Sequence, residues 1–412
     1  MTPLDEYLQR TPRSRDLFER ASRVMPGGST RTTVYAAPYP PYIAEGSGLR
    51  VRDVDGNEYR DFLGNYTSLI LGHAHPAVVA AVERQARRGS AFAAPTETEV
   101  ELAEELCARL PSLERVRFTT SGTEATMFAT RAARAFTGRT LVGRFDGAYH
   151  GTHDTAMAGT PGVPPETSGL VIDLPWNDHA GVEAALLARS GDIAAVIVEP
   201  VQGAGGVRPA APDFLAALRE LTERIGAILI FDEVISFRLG RAGGQGRAGI
   251  RPDLTTLGKI IGGGYPLAAF GGRADLMDQF DARRAGALSH GGTYNGNPVA
   301  AAAGLATLRL LDDDAFARLD SLGARLRAAV PAIDAVGSLF QIRAPGASGH
   351  ATATGAGDPA ATFLGLLLEG FYVAPRGMGA IPLVASETDV DDLAAAVEKV
   401  LAGQDMGTLA GV

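Results

Sequence analysis

Two rhythms of apolar and polar residues run through this chain. In the stretch after Pro212, Phe214, Leu218, Leu221 and Ile225 recur at the spacing of one helical face, with Pro212 near the start and Gly226 just past the end. The same helical pattern covers Ala77–Arg88, Glu97–Leu110 and about Thr123 to Phe136. Between and after these lie short apolar runs of strand length: Val116–Phe118, Leu141–Phe145, Leu170–Leu174, Ala194–Val198, Ile228–Phe231 and Leu254–Leu257. Such alternation predicts an α/β fold, a mostly parallel sheet flanked by helices. Ahead of it, Asp55-Gly56 separates two alternating runs and reads as a tight hairpin. The expected organisation is an N-terminal helix and hairpin segment over 1–62, a large domain over 63–300, and a smaller α+β region over 301–412 to which the N-terminal segment belongs. The Gly-, Ala- and Thr-rich stretch 344–358 has no periodicity and reads as a surface loop.

Composition narrows the function classes. At roughly 150 residues per domain, 412 residues make about two or three domains with a substantial core. No apolar run approaches a membrane span. The net charge of −9, with no basic block, argues against nucleic acid as a partner. A single cysteine, Cys107, cannot form an internal bridge, and no apolar signal core opens the chain, so the expectation is a cytoplasmic protein. Of the 38 basic residues only Lys259 and Lys399 are lysines. Lys399 lies on the charged side of an amphipathic helix and reads as a solvated charge. Lys259 is flanked by apolar residues and glycines, where an unpaired ammonium is costly, so its amine reads as a reagent.

In an open α/β sheet ligands bind at the carboxyl ends of the strands. There the chain places Ser121, Gly122 and Thr123 before a helix, a setting suited to phosphate, then Glu199 and Gln202, then Asp232-Glu233, then Lys259. Each piece alone is commonplace, since a Ser-Gly-Thr turn is usually only a helix cap. Together a phosphate cradle, a carboxylate and a nearly unique lysine point to pyridoxal 5'-phosphate, whose aldehyde needs an amine and whose pyridine nitrogen needs an anion. Asp232 and Glu233, adjacent on a strand, face opposite ways, so only one can meet the ligand.

Three other patterns read as bland. Gly244, Gly246 and Gly249 form a G-x-G-x-x-G without a preceding apolar strand and read as a loop. His73/His75 and His150/His153 have metal-like spacing but no accompanying ligand set, so local hydrogen bonding and no metal are expected. Gly262–Gly264 could end a strand or let backbone approach a flat ring.

The ordered motifs SGTEA (Ser121–Ala125), FDGAYHG (Phe145–Gly151), VEPVQG (Val198–Gly203), DEV (Asp232–Val234), TTLGKIIGGG (Thr255–Gly264) and GGTYNGNP (Gly291–Pro298) resemble class III pyridoxal-phosphate aminotransferases of fold type I. The resemblance is greatest to the group of glutamate-1-semialdehyde aminomutase and β-phenylalanine aminotransferase, and runs from about Met25 to the C-terminus. It implies that Lys259 holds the cofactor aldehyde and shuttles a proton, and that Asp232 keeps the pyridine protonated. It also implies that Ser121, Gly122 and Thr123 bind phosphate, that Tyr149 and Val234 cover the two ring faces, and that Gln202 and Glu199 lie among the cofactor contacts. Thr293 would reach the phosphate of a neighbouring subunit, implying a homodimer. Arg31 and Arg376 match substrate-carboxylate arginines, Arg376 for glutamate or 2-oxoglutarate; a planar guanidinium fork suits bidentate carboxylate binding.

The departures are informative. Gln202-Gly203-Ala204-Gly205-Gly206 replaces an Asn-containing loop typical of the aminomutases, and DEVISFRL is one residue shorter than their pattern. Both favour transfer between a carboxylate-bearing amine, such as a β-amino acid, and a 2-oxo acid. The alternatives are an intramolecular glutamate-1-semialdehyde 2,1-aminomutase and, more remotely, a catalytically silent phosphate- or nucleotide-binding dimer.

Overall fold

The computed structural model describes residues 2–343 and 359–405, so the expected loop over 344–358 lies outside the described residues. The chain divides into two compact units: Pro76–Phe316, and the residues up to His75 together with those from Ala317 onward.

In the central unit, seven strands lie side by side in the order Arg115–Thr119, Ala268–Gly272, Leu254–Leu257, Ile228–Asp232, Ile193–Val198, Leu141–Phe145 and Val171–Leu174. The last five pair in parallel; Ala268–Gly272 runs antiparallel to both its neighbours. Every residue of Ile193–Val198 and Ile228–Asp232 is buried, the reason both runs read as continuously apolar. Alternate residues serve opposite faces. Ala195, Ile197, Ile228 and Ile230 pack with Ala125, Phe128, Ala129 and Ala132 of the helix Gly122–Thr137. Val196, Val198, Leu229 and Phe231 pack with Phe214, Leu218, Leu221 and Ile225 of the helix Phe214–Ile225. Each large side chain so buried contributes about 1.5–3 kcal/mol. That second helix ends on Gly226 at φ +65°, as its sequence predicts.

The pattern gave no sign of the strand Ala268–Gly272. Its Ala-Ala-Phe-Gly-Gly composition lacks the β-branched signature, because neighbouring backbone leaves no room for side chains at its last two positions. A Cβ on Gly271 would lie 2.4 Å from the Arg115 carbonyl oxygen, and one on Gly272 2.1 Å from that of Asp253.

In the other unit, Ile43–Ser47, Arg50–Asp53 and Glu58–Asp61 form an antiparallel meander, extended by Phe371–Tyr372 running parallel to the third strand. The expected hairpin is present, with Gly56 at φ +94°. A second sheet joins Ile333–Val336, Leu339–Ile342 and Met378–Ala380. Phe62, Leu326, Phe340, Leu366, Ile381, Val390 and Val397 form a continuous core there. Among the described residues no helix is long and apolar enough to cross a membrane.

Candidate active site

Two antiparallel steps make Arg115–Thr119 parallel to the other strands, so the residues following Thr119, Val198, Asp232 and Leu257 leave one edge of the sheet. Four separate sequence signals thereby converge. Ser121 caps the helix Gly122–Thr137: its hydroxyl accepts from the Glu124 N–H, and the Glu124 carboxylate accepts from the Ser121 N–H at 3.0 Å. The first N–H groups of a helix have no acceptor within it, which leaves an anion-binding terminus over Gly122 and Thr123. Val234 packs closely on Gly122 and Gly258: a Cβ on either would lie 3.3 Å from the Val234 side chain.

Asp232 is buried at the end of its strand. One carboxylate oxygen pairs with His150 Nδ1 at 2.8 Å, and the other accepts from the Thr256 hydroxyl and the Val234 N–H, both at 3.1 Å. His150 is itself buried, and its Nε2 has no partner among the described residues. Sequence reasoning gave His150 only a local hydrogen bond; what it binds is the principal carboxylate. The spacing to His153 was the only signal available, and it belongs to metal sites rather than to this pairing. No group of residues able to hold a metal occurs among those described.

Glu233 faces away from Asp232, as alternation requires. Its buried carboxylate accepts from Ser236 Oγ at 2.6 Å, the Gly244 N–H at 2.8 Å and the Gln245 N–H at 2.7 Å. This corrects the expected loop at Gly244, Gly246 and Gly249: Gly243–Ala248 is a short helix, its first N–H groups satisfied by Glu233. A Cβ on Gly243 would meet that carboxylate at 2.8 Å.

Lys259 opens a 3-10 turn, Lys259–Gly262, in a left-handed conformation at φ +52°. Burial pushes its ammonium down to about 8, against the pull of the Glu199 and Asp232 carboxylates and assisted by the Arg238 charge. Glu199 is buried; its oxygens accept from the Tyr149 and Gly203 N–H groups, both at 3.1 Å. Burial holds it above the usual carboxylate range, with His150 opposing and Asp232 reinforcing the rise. Of the glycines after Lys259, Gly263 lies against a helix. A Cβ on Gly263 would lie 2.4 Å from the Ala303 carbonyl oxygen, and one on Gly304 1.8 Å from that of Ile261, so backbone and the helix Pro298–Leu308 are in contact.

Gln202 is fully buried and donates to the Asp146 carbonyl at 2.9 Å, while its Oε1 has no partner among the described residues. The Tyr149 ring is 52% exposed, free to cover a ligand. Thr293 is exposed, in the turn preceding the helix Pro298–Leu308.

The two arginines belong to the other unit. Arg31 Nη1 donates to Asn65 Oδ1 at 2.9 Å, and its guanidinium lies 5.8 Å from the centre of the Tyr66 ring. Burial raises the Tyr66 phenol, while its hydrogen bond to Thr33 and the charges of Arg31 and Arg376 oppose that rise. Among the described residues neither arginine has a carboxylate partner.

The class-III aminotransferase family model matches residues 34–401. The chain is 43% identical to a glutamate-1-semialdehyde 2,1-aminomutase of Sorangium cellulosum strain So ce56, over 95% of this chain and 97% of that one. Among solved structures it is similar to an omega-transaminase from Sphaerobacter thermophilus, at 41% identity and TM-score 0.89, covering 94% and 97% of the two chains. It is likewise similar to a β-phenylalanine aminotransferase from Variovorax paradoxus, at 37% identity and TM-score 0.89, covering 98% and 97%.

Proposed function

Because this chain belongs to the class III aminotransferases, whose cofactor is pyridoxal 5'-phosphate, we propose that it transfers an amino group between a carboxylate-bearing amine, such as a β-amino acid, and a 2-oxo acid. The residues fit the cofactor. A partly buried amine with depressed basicity, a buried carboxylate, a helix N-terminus bearing Ser121, Gly122 and Thr123, and the unpartnered Gln202 Oε1 provide what its aldehyde, pyridine nitrogen, phosphate and phenolic oxygen require. Bound, the group supplies an aldehyde that takes up the amino group and a ring that accepts electrons from the amine-bearing carbon. Lys259 is assigned the bond to the aldehyde and the proton on the amine-bearing carbon of the substrate. Asp232, braced by His150, would hold the proton on the ring nitrogen. Val234 and Tyr149 are assigned the two ring faces, and Glu199 orients the backbone around Tyr149 and Gly203. Thr293 is assigned to the phosphate of a neighbouring subunit in a homodimer.

What favours transfer between two substrates is the pair Arg31 and Arg376, two guanidiniums of one unit without carboxylate partners among the described residues. Each is assigned one substrate carboxylate. The 43% identity to an aminomutase supports a second reading, an intramolecular 2,1-transfer. Acceptor dependence separates them. A transferase converts the amine to its oxo product only with a 2-oxo acid present, in equal amounts of both products; isomerisation of glutamate-1-semialdehyde without acceptor would establish the second reading.

A further inference from the structure

Carboxylates elsewhere in this chain neutralise arginines: exposed Arg325 pairs with Asp391, exposed Arg283 with Asp281, and half-buried Arg60 with Asp392. Arg31 is held by an amide instead. The nearby carboxylate, Asp61, is already engaged, with His73 at 2.6 Å and the N–H groups of Leu63 and Gly64 at 2.8 and 2.9 Å. The amide is presented by an unusual piece of backbone. Gly64, Asn65, Tyr66 and Thr67 have φ of +54°, +49°, +53° and +76°, four consecutive left-handed residues including a β-branched one. Left-handed residues normally occur singly, so the surroundings must enforce this turn. The turn is tied to the arginine's own segment twice, by Asn65 to Arg31 and by the Tyr66 hydroxyl donating to the Thr33 carbonyl. Asn65 Nδ2 donates to Ser68 Oγ at 3.2 Å, which fixes the amide so that Oδ1 faces Arg31.

We propose that Asn65 is a specificity-determining positioning residue that holds the Arg31 guanidinium in place without neutralising it, keeping its fork charged for the carboxylate of the amino donor. A free arginine loses side-chain entropy on binding; one already held by a neutral acceptor loses less and retains its full charge. The inference rests on the reading of Arg31 as a donor-carboxylate receptor.

The test follows single-turnover reaction of the holoenzyme with β-phenylalanine and β-alanine, and with 1-phenylethylamine, which lacks the carboxylate. Asn65→Gly keeps the left-handed turn and removes the amide; Asn65→Asp places a competing carboxylate on the fork. Asn65→Gly should raise the half-saturating concentration of the carboxylated probes about three- to tenfold, and Asn65→Asp by about tenfold or more. Limiting rate, cofactor absorbance and the response to 1-phenylethylamine should hold. Equal losses with the amine lacking a carboxylate would show a merely structural turn and overturn the inference. So would unaltered saturation in both variants while Arg31→Ala is impaired, an outcome that leaves the Arg31 reading standing. Wild-type saturation untouched by Arg31→Ala, or no reaction with either carboxylated probe, overturns the underlying reading and the inference with it.

Discussion

At the scale of single residues, the proposed chemistry rests on the left-handed Lys259. A lysine at φ +52° costs on the order of 1 kcal/mol or more, and persists here because the strand before it and the glycine-mediated helix contact after it fix both ends. Lys259→Ala should abolish turnover, while Lys399→Ala, which removes only an exposed pair with Glu369, should leave it near normal. Because burial brings the Lys259 ammonium down to about 8, the cofactor-free protein should take up pyridoxal phosphate faster as pH rises through 8, levelling above it. The sign follows from the nucleophile: only the neutral amine attacks an aldehyde. A lysine at its ordinary value of about 10.4 would keep accelerating well beyond that pH. Stopped-flow absorbance across pH 6.5–10 checks this. His150→Ala should leave cofactor bound but slow proton transfer at the amine-bearing carbon about ten- to hundredfold, the value of a hydrogen bond to a charged group, with a shift in the cofactor's visible band; the same rates measured in Asp232→Asn should fall further.

At the scale of elements, close backbone approach replaces side-chain packing where the site meets the helix Pro298–Leu308. Gly304→Ala would drive a methyl to within 1.8 Å of the Ile261 carbonyl oxygen, and neither backbone can yield without moving the Lys259 turn. Overpacking of this kind costs about 1–3 kcal/mol. The variant should lose about 2–12 °C in Tm, at about 2–4 °C per kcal/mol for a unit of this size, and turnover should fall more steeply than stability. Thermal unfolding and kcat measured on the same preparation check it. The glycine pattern alone carried no information on its partner: G-G-G after a lysine reads equally as a strand end or a ring platform. Likewise Glu233 reads as half of an Asp-Glu pair, and only the fold reveals that it caps the helix Gly243–Ala248.

At the scale of the whole molecule, the assigned role of Thr293 in a neighbouring subunit predicts complementation. Co-expressed Lys259→Ala and Thr293→Ala chains should form mixed dimers in which one site has both an intact lysine and an intact threonine. Phosphate affinity in those active sites should match wild type; affinity equal to that of Thr293→Ala alone would place the threonine in its own subunit's site. The sequence by itself determined the parallel α/β sheet, because strands buried on both faces leave uninterrupted apolar runs such as Ile193–Val198, and helices covering them leave a period of three to four. It also singled out Lys259 and Asp232 as candidates, since a rare ionisable residue among apolar neighbours at a strand end stands out locally. Tertiary structure alone decided the rest. The strand Ala268–Gly272 owes its small residues to neighbours far away in sequence; His150 meets Asp232 across 82 positions; and Asn65 meets Arg31 through a left-handed turn that no local propensity favours. Each depends on contacts between distant segments, and a residue's own neighbours along the chain carry no record of what folding sets against it.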